Sequence, residues 1–119
     1  MGWEEAGRAW GARALEWAYL TEPYARPAND TLFDRLSVGM GCRYRDVACG
    51  SGFAAGVAGR RGAAVAGLDA SDALIRIARA RTPEGDFRVG DMFDLPFADD
   101  SFDVATSFNG IWKGCERAL

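Results

Sequence analysis

The sequence contains no histidine, and only one of its 14 basic residues, Lys113, is a lysine. The missing histidine removes the commonest general base and the commonest metal ligand. The preponderance of arginine reads as coding bias before function. Cysteine is scarce as well: Cys42, Cys49 and Cys115 stand at no metal-ligand spacing, and their odd number suits reduced thiols in a cytoplasm. No apolar run approaches the roughly 18 residues of a membrane span. The opening Met-Gly-Trp-Glu-Glu lacks the basic and apolar regions of a secretory signal. There is no surplus of positive charge either. A net charge of −3 argues against a nucleic-acid binder that works by neutralising phosphates.

What is present is the balance of a globular domain, with 49% apolar and 26% charged residues. A chain of 119 residues makes one domain at most, below the usual size of a doubly wound enzyme. It carries no internal repeat, low-complexity tract or linker. Residues 3–20 have a helical pattern in which Trp3, Trp10 and Trp17 recur every seven positions, with Ala6, Ala14 and Leu20 on the same side. Such a stripe reads first as packing and second as an aromatic lid over a ligand. Pro23 and Pro27 then predict a connector, and Asn29 or Asp30 is placed to cap a short helix through Leu36. Strands are expected at about 43–48, 63–68, 86–89 and 101–108. Helices are expected over 53–59, from a Ser71 or Asp72 cap to Pro83, and from Asn109 onward. The alternation predicts an α/β fold with an open parallel sheet. Arg45, inside the first strand, is the poorest fit to a buried parallel strand and has to snorkel or pair with an acid.

The chain is organised around Asp46-Val47-Ala48-Cys49-Gly50-Ser51-Gly52-Phe53-Ala54-Ala55. Gly50, Gly52 and Ala55 fit the glycine-turn spacing at a strand-to-helix junction, and Asp69 follows Gly50 by 19 positions, where an acid meets a ribose hydroxyl pair. In this reading Gly50 makes the turn, Gly52 lets the main chain approach a ligand, and Ala55 lets the helix approach the strand. Asp46, Asp69 and Asp91 stand at or near the carboxyl ends of successive strands, the edge where open α/β sheets bind ligands. Charge ranks the ligands that suit this layout. A dinucleotide would bring its pyrophosphate to the glycine turn beside Asp46, whereas a ligand bearing an amine and a sulfonium would welcome the acids. The ranking favours S-adenosylmethionine over NAD. Cys49 reads as a small buried residue rather than a nucleophile.

The same stretches resemble the class I S-adenosylmethionine-dependent methyltransferases, in particular the small-molecule group that includes ubiquinone/menaquinone-biosynthesis-type enzymes. Asp46 to Gly52 resembles the family's first motif, and Gly67-Leu68-Asp69-Ala70-Ser71 its second-strand motif. Gly90-Asp91-Met92-Phe93-Asp94-Leu95-Pro96-Phe97 with Asp99-Asp100-Ser101-Phe102-Asp103 resembles its run from the third strand into the fourth. Together they cover about residues 44–112.

The resemblance implies a Rossmann-like domain, a small-molecule methyl acceptor, and no metal. It implies a cofactor site of Asp46, Ala48, Gly50, Gly52, Asp69, Ala70, Asp91, Met92 and Phe108. Gly50 and Gly52 would frame the methionine portion and Asp69 would accept both ribose hydroxyls. Asp91 would bind the adenine amino group, and Met92 the ring. Phe108 and Asn109 would border the methyl group and the substrate entrance. Residues 1–41 would then form a helical lid and 42–119 the cofactor half.

Two departures stand out. Ala48 takes the place of a glycine usual in the first motif. The family's sheet runs 3-2-1-4-5-7-6, and this sequence accounts for 3-2-1-4 only, as a C-terminally truncated chain would, leaving the fourth strand as an edge for self-association. A methyltransferase cut short is therefore the first expectation. A catalytically silent cofactor-binding or interaction fragment and an NAD-dependent oxidoreductase fragment are the alternatives.

Overall fold

The parallel pairing of β1 (Arg43–Val47) with β2 (Ala64–Asp69) is the centre of the structure, with Tyr44 beside Val65 and Val47 beside Leu68. β3 (Asp86–Val89) adds to the free edge of β2 and β4 (Val104–Thr106) to that of β1, giving a four-stranded parallel sheet of order β3-β2-β1-β4. The computed structural model describes residues 2–98 and 101–108. The turn expected at Asp99-Asp100, the role expected of Asn109 and the helix expected over 109–119 lie outside the described residues. So does Cys115.

Two crossover helices, α4 (Phe53–Arg60) and α5 (Asp72–Arg81), share one core with the helix from Arg26 to Arg35. Phe33, Tyr44, Ala55, Val57, Ile75 and Ala78 are all but fully buried there, and Phe33 meets Tyr44 edge to face at 5.3 Å. α5 starts as expected: the Ser71 hydroxyl accepts the Leu74 N–H at 3.2 Å, satisfying one of the orphan amides of the first turn. Among the described residues no helix is long and apolar enough to cross a membrane.

The N-terminal segment departs from expectation. The predicted helix over 3–20 is two: α1 (Trp3–Gly11) and α2 (Ala14–Glu16), broken at Ala12-Arg13. α2 runs on into a π-helical turn (Trp17–Thr21) and a 3₁₀ turn (Glu22–Ala25), and α3 (Arg26–Arg35) follows directly. Pro23 and Pro27 stand in the first turns of the last two elements, where no intrahelical amide is needed, so they start helices instead of ending them. α3 therefore begins ahead of Asn29 and Asp30, and neither caps it. Asn29 is buried, and Asp30 pairs with Arg26 one turn away at 3.0 Å.

β4 is shorter than the predicted 101–108 because Asp103 turns aside. Its carboxylate takes the Arg43 guanidinium at 2.9 Å and the Arg43 amide at 2.8 Å, and its own N–H bonds the Arg43 carbonyl at 2.8 Å. Arg45 takes neither of its two predicted arrangements. Its guanidinium lies over the Phe102 ring, 5.4 Å from the centroid, a cation–π contact, while its Nε is buried without a hydrogen-bond partner.

Candidate functional site

The carboxyl ends of β1, β2 and β3 form the floor of a cavity of about 570 Å³, and the N-terminal helices form its roof. Gly50, at φ +57°, turns the chain out of β1, and its N–H donates to Asp69 Oδ2 at 2.9 Å. The Ser71 N–H donates to Asp69 Oδ1 at 2.9 Å. Both carboxylate oxygens thus accept backbone amides, and the residue lines the cavity with Ala70 beside it. Burial pushes the Asp69 carboxyl above its ordinary value, and the amides oppose that rise. After β3, Asp91 Oδ1 accepts the Phe93 N–H and its carbonyl the Asp94 N–H, both at 3.0 Å. That turn sets Asp91, Met92 and Phe93 on the cavity wall.

The roof is aromatic. Trp3, Trp10 and Trp17 line the cavity, and Trp10 meets Trp17 edge to face at 5.1 Å. The stripe therefore lines the cavity as well as packing on itself; packing was its first reading. α1 is set down where Gly7 lies directly on the Ala70 carbonyl, an approach that leaves no room for a Cβ.

A second cavity of about 80 Å³ adjoins the first, sharing Trp17, Ala48 and Phe108 with it. Its polar lining includes Thr21, Glu22, Asn29 and Asp46. Asp46 is buried and accepts the Thr106 hydroxyl at 2.9 Å, and that hydroxyl is 2.6 Å from the Tyr44 hydroxyl. Burial pushes the Asp46 carboxyl up to about 8, with Glu22 and Asp69 adding repulsion. Burial thus disfavours the charged form of Asp46, and the residue faces the smaller cavity. The charge argument against a pyrophosphate cannot rest on it.

Another acid takes over that argument. Glu22, which sequence reasoning missed, lies against the glycine turn. Its carboxylate accepts the Ser51 N–H at 3.2 Å and the Ser51 hydroxyl, with Arg81 at 3.8 Å. The anion-binding amide of the turn is already occupied by a carboxylate.

Seven of the predicted site residues, Ala48, Gly50, Asp69, Ala70, Asp91, Met92 and Phe108, meet around the larger cavity. Asp46 lines the smaller one only, and Gly52 lines neither. Gly52, at φ +75°, faces α5, where a Cβ would stand 2.8 Å from that of Ala78. It serves helix packing, the task read for Ala55. Ala48 adopts φ +60°, a left-handed conformation that suits the family's glycine better than an alanine. Glu22 and Asn29 were also missed, and no motif near them could have found them.

The model of the family described as "Methyltransferase domain" matches residues 45–113, more than half of the chain. The chain belongs to the class I S-adenosylmethionine-dependent methyltransferase family. This methyltransferase-family chain is 35% identical over 78 residues to the demethylmenaquinone methyltransferase of Paenarthrobacter aurescens, a match covering 66% of the chain and 31% of that protein. It is 37% identical over 111 residues to the 2-phytyl-1,4-naphtoquinone methyltransferase of Synechococcus elongatus, covering 71% of the chain and 47% of that protein. A TehB-like SAM-dependent methyltransferase from Corynebacterium glutamicum superposes with a TM-score of 0.70 at 23% identity, covering 90% of the chain and 63% of that structure; this likeness shows the fold. The chain spans about a third to a half of the length of these two curated relatives.

Proposed function

We propose that the chain binds S-adenosylmethionine in the larger cavity and belongs to an enzyme that moves its methyl group to a small-molecule acceptor. The observation that carries this reading is Asp69, a cavity-lining carboxylate whose two oxygens are steadied by the backbone amides of Gly50 and Ser71. Two vicinal hydroxyls of a ribose match that pair. Asp91 would take the adenine amino group, and Met92 would offer its amide to the ring edge and its side chain to the ring face. Ala70 would border the ribose, with Ala48 and Gly50 beside the methionine portion and Phe108 near the methyl group.

The cofactor supplies a methyl already activated by the positive sulfonium, so displacement needs no covalent intermediate on the protein. The work left to these residues is alignment and exclusion of water. Trp3, Trp10 and Trp17 close the cavity above the floor acids, which supports a division into a cap of residues 1–41 and a cofactor half of 42–119. Glu22 and Asp69 raise the cost of ionising Asp46, and a ligand carrying a sulfonium and an ammonium relieves it. A cytoplasmic setting suits Cys42 and Cys49, which are free thiols.

Titration calorimetry on Asp69→Ala tests the reading. Loss of charge-assisted hydrogen bonds worth ~1.5–3 kcal/mol weakens S-adenosylmethionine by about 10–100-fold. Unchanged affinity, or a thermal shift with NAD in place of S-adenosylmethionine, overturns it.

A further inference from the structure

Arg81 ends α5 with its side chain turned inward, 24% exposed where that of Arg76 on the same helix is 76% exposed. It lines neither cavity. Its guanidinium instead ties α5 to two segments far away in sequence. On the glycine turn, Nη1 donates to the Ser51 hydroxyl at 2.8 Å. On the cap, Nη2 donates to the Ala18 carbonyl at 3.3 Å, the Tyr19 ring lies 4.9 Å off in a cation–π contact, and Glu22 Oε2 stands 3.8 Å away.

The Ala18 contact answers a need built into the sequence. In the π-helical turn a carbonyl pairs with the amide five residues on, as that of Trp17 does with the Glu22 N–H. The next carbonyl, that of Ala18, would fall to Pro23, which has no N–H. Ala18 is buried away from bulk water, and Arg81 supplies the hydrogen. Trp17 is tied to the same point through Glu22, whose carboxylate takes both the Trp17 indole and the Ser51 hydroxyl. Among the described residues, the hydrogen bonds from residues 2–25 to the sheet half all gather here. At the other end α1 rests on Ala70 and Ser71 through the close packing of Gly7 and Gly11.

We propose that Arg81 is a positioning residue that latches the N-terminal cap to the glycine turn, and that this latch governs how long a ligand stays in the larger cavity. The inference rests on the S-adenosylmethionine reading and adds to it a residue that touches no part of the ligand. With the latch made, Trp17 is fixed over the floor, and the roof swings clear only when one guanidinium parts from two segments at once. Without it the bound ligand escapes sooner. A residue that merely upheld the fold would act differently. Its loss would lower the share of chains able to bind and leave escape from an intact complex unchanged.

Surface plasmon resonance on the immobilised 119-residue chain, with S-adenosylhomocysteine as the probe, separates the two. Arg81→Met is expected to quicken dissociation about tenfold, as loss of one charge-assisted hydrogen bond requires, and to leave association within about twofold. Arg81→Lys keeps the charge but reaches one partner at a time, so its dissociation rate falls between. Tyr19 is 62% exposed and lines neither cavity, so Tyr19→Leu leaves the fold intact and keeps the test open should Arg81→Met fail to fold. It is expected to quicken dissociation about threefold, and to add nothing in the Arg81→Met background.

Unchanged dissociation in Arg81→Met would mean that the roof opens by lifting α1 alone, and overturns the proposal while the cofactor reading stands. Slower association or fewer binding sites at an unchanged dissociation rate overturns it as well. So does an equal effect of Tyr19→Leu with and without Arg81. If the wild-type chain binds no S-adenosylhomocysteine, the cofactor reading falls and this inference with it.

Discussion

Asp69 and Trp10 face the same cavity and are held in opposite ways. Asp69 is gripped by two backbone amides at 2.9 Å, on a strand whose neighbours Leu68 and Val47 are at most 1% exposed. Trp10 is 49% exposed and has the edge of Trp17 for its aromatic neighbour. The floor is thus set by main-chain geometry and cannot shift without breaking the sheet. The roof is set by side chains on short helices, where less buried area opposes movement. In a cofactor fold this division is useful, since the floor recognises a constant ligand and the roof has to admit and release it.

The largest expected effect concerns the floor's own charge. Asp46 is buried against Thr106, its carboxyl raised from an ordinary 3.8 to about 8. A raised carboxyl contributes stability that is complete below the ordinary value and is lost as pH climbs through the raised one. The ligand-free chain should therefore lose stability on the order of a few kcal/mol between about pH 4 and pH 8. Asp46→Asn, which keeps the acceptor for Thr106, should flatten much of that slope in melts across the range. A slope unchanged by the substitution would place the cost elsewhere.

A smaller effect separates the roof from the floor. In Gly7→Val the new side chain meets the Ala70 carbonyl, and α1 has to lift, at a cost of ~1–3 kcal/mol. Trp3, Trp10 and Trp17, three of the chain's four tryptophans, lie in the roof, so in a Trp112→Phe background urea unfolding followed by tryptophan fluorescence should shift to lower denaturant before circular dichroism reports loss of the sheet. Coincident, unshifted transitions would show that α1 does not depend on that contact.

The smallest effect belongs to the floor's backbone. Ala48→Gly relieves the left-handed conformation at φ +60° and should stabilise the chain by about 1 kcal/mol in chemical denaturation. A loss of stability would mean that the methyl group packs better than the backbone suffers.

The floor was legible in the sequence because its parts are neighbours in the chain. The turn at Gly50, the Ser71 cap, the acid ending β2 and the Asp91 turn each follow from a few consecutive residues. Its charge state was not legible. Asp46 looks like any strand-end acid until Thr106, 60 positions on, is found against it. The roof was read less well for the same reason. Glu22 meets Ser51 across 29 positions, and nothing in Leu-Thr-Glu-Pro announces that contact. Pro23 and Pro27 suggested an interruption because a proline that starts a helix and one that ends it look alike from the local sequence. Arg45 was noticed as a misfit, but its remedy, the face of Phe102, comes from a distant segment.

The π-helical turn at Trp17–Thr21 packs one residue more into its loop than regular winding would. Since a regular helix rotates about 100° per residue, removing one residue there would swing the tryptophans out of line with whatever follows Glu22. Trp17 packs on Trp10 and lines both cavities, Ala18 is buried, Tyr19 lies under the Arg81 guanidinium and Thr21 lines the smaller cavity, which leaves Leu20 as the exposed position of the turn. The segment is therefore held to its length as firmly as to its aromatic side chains.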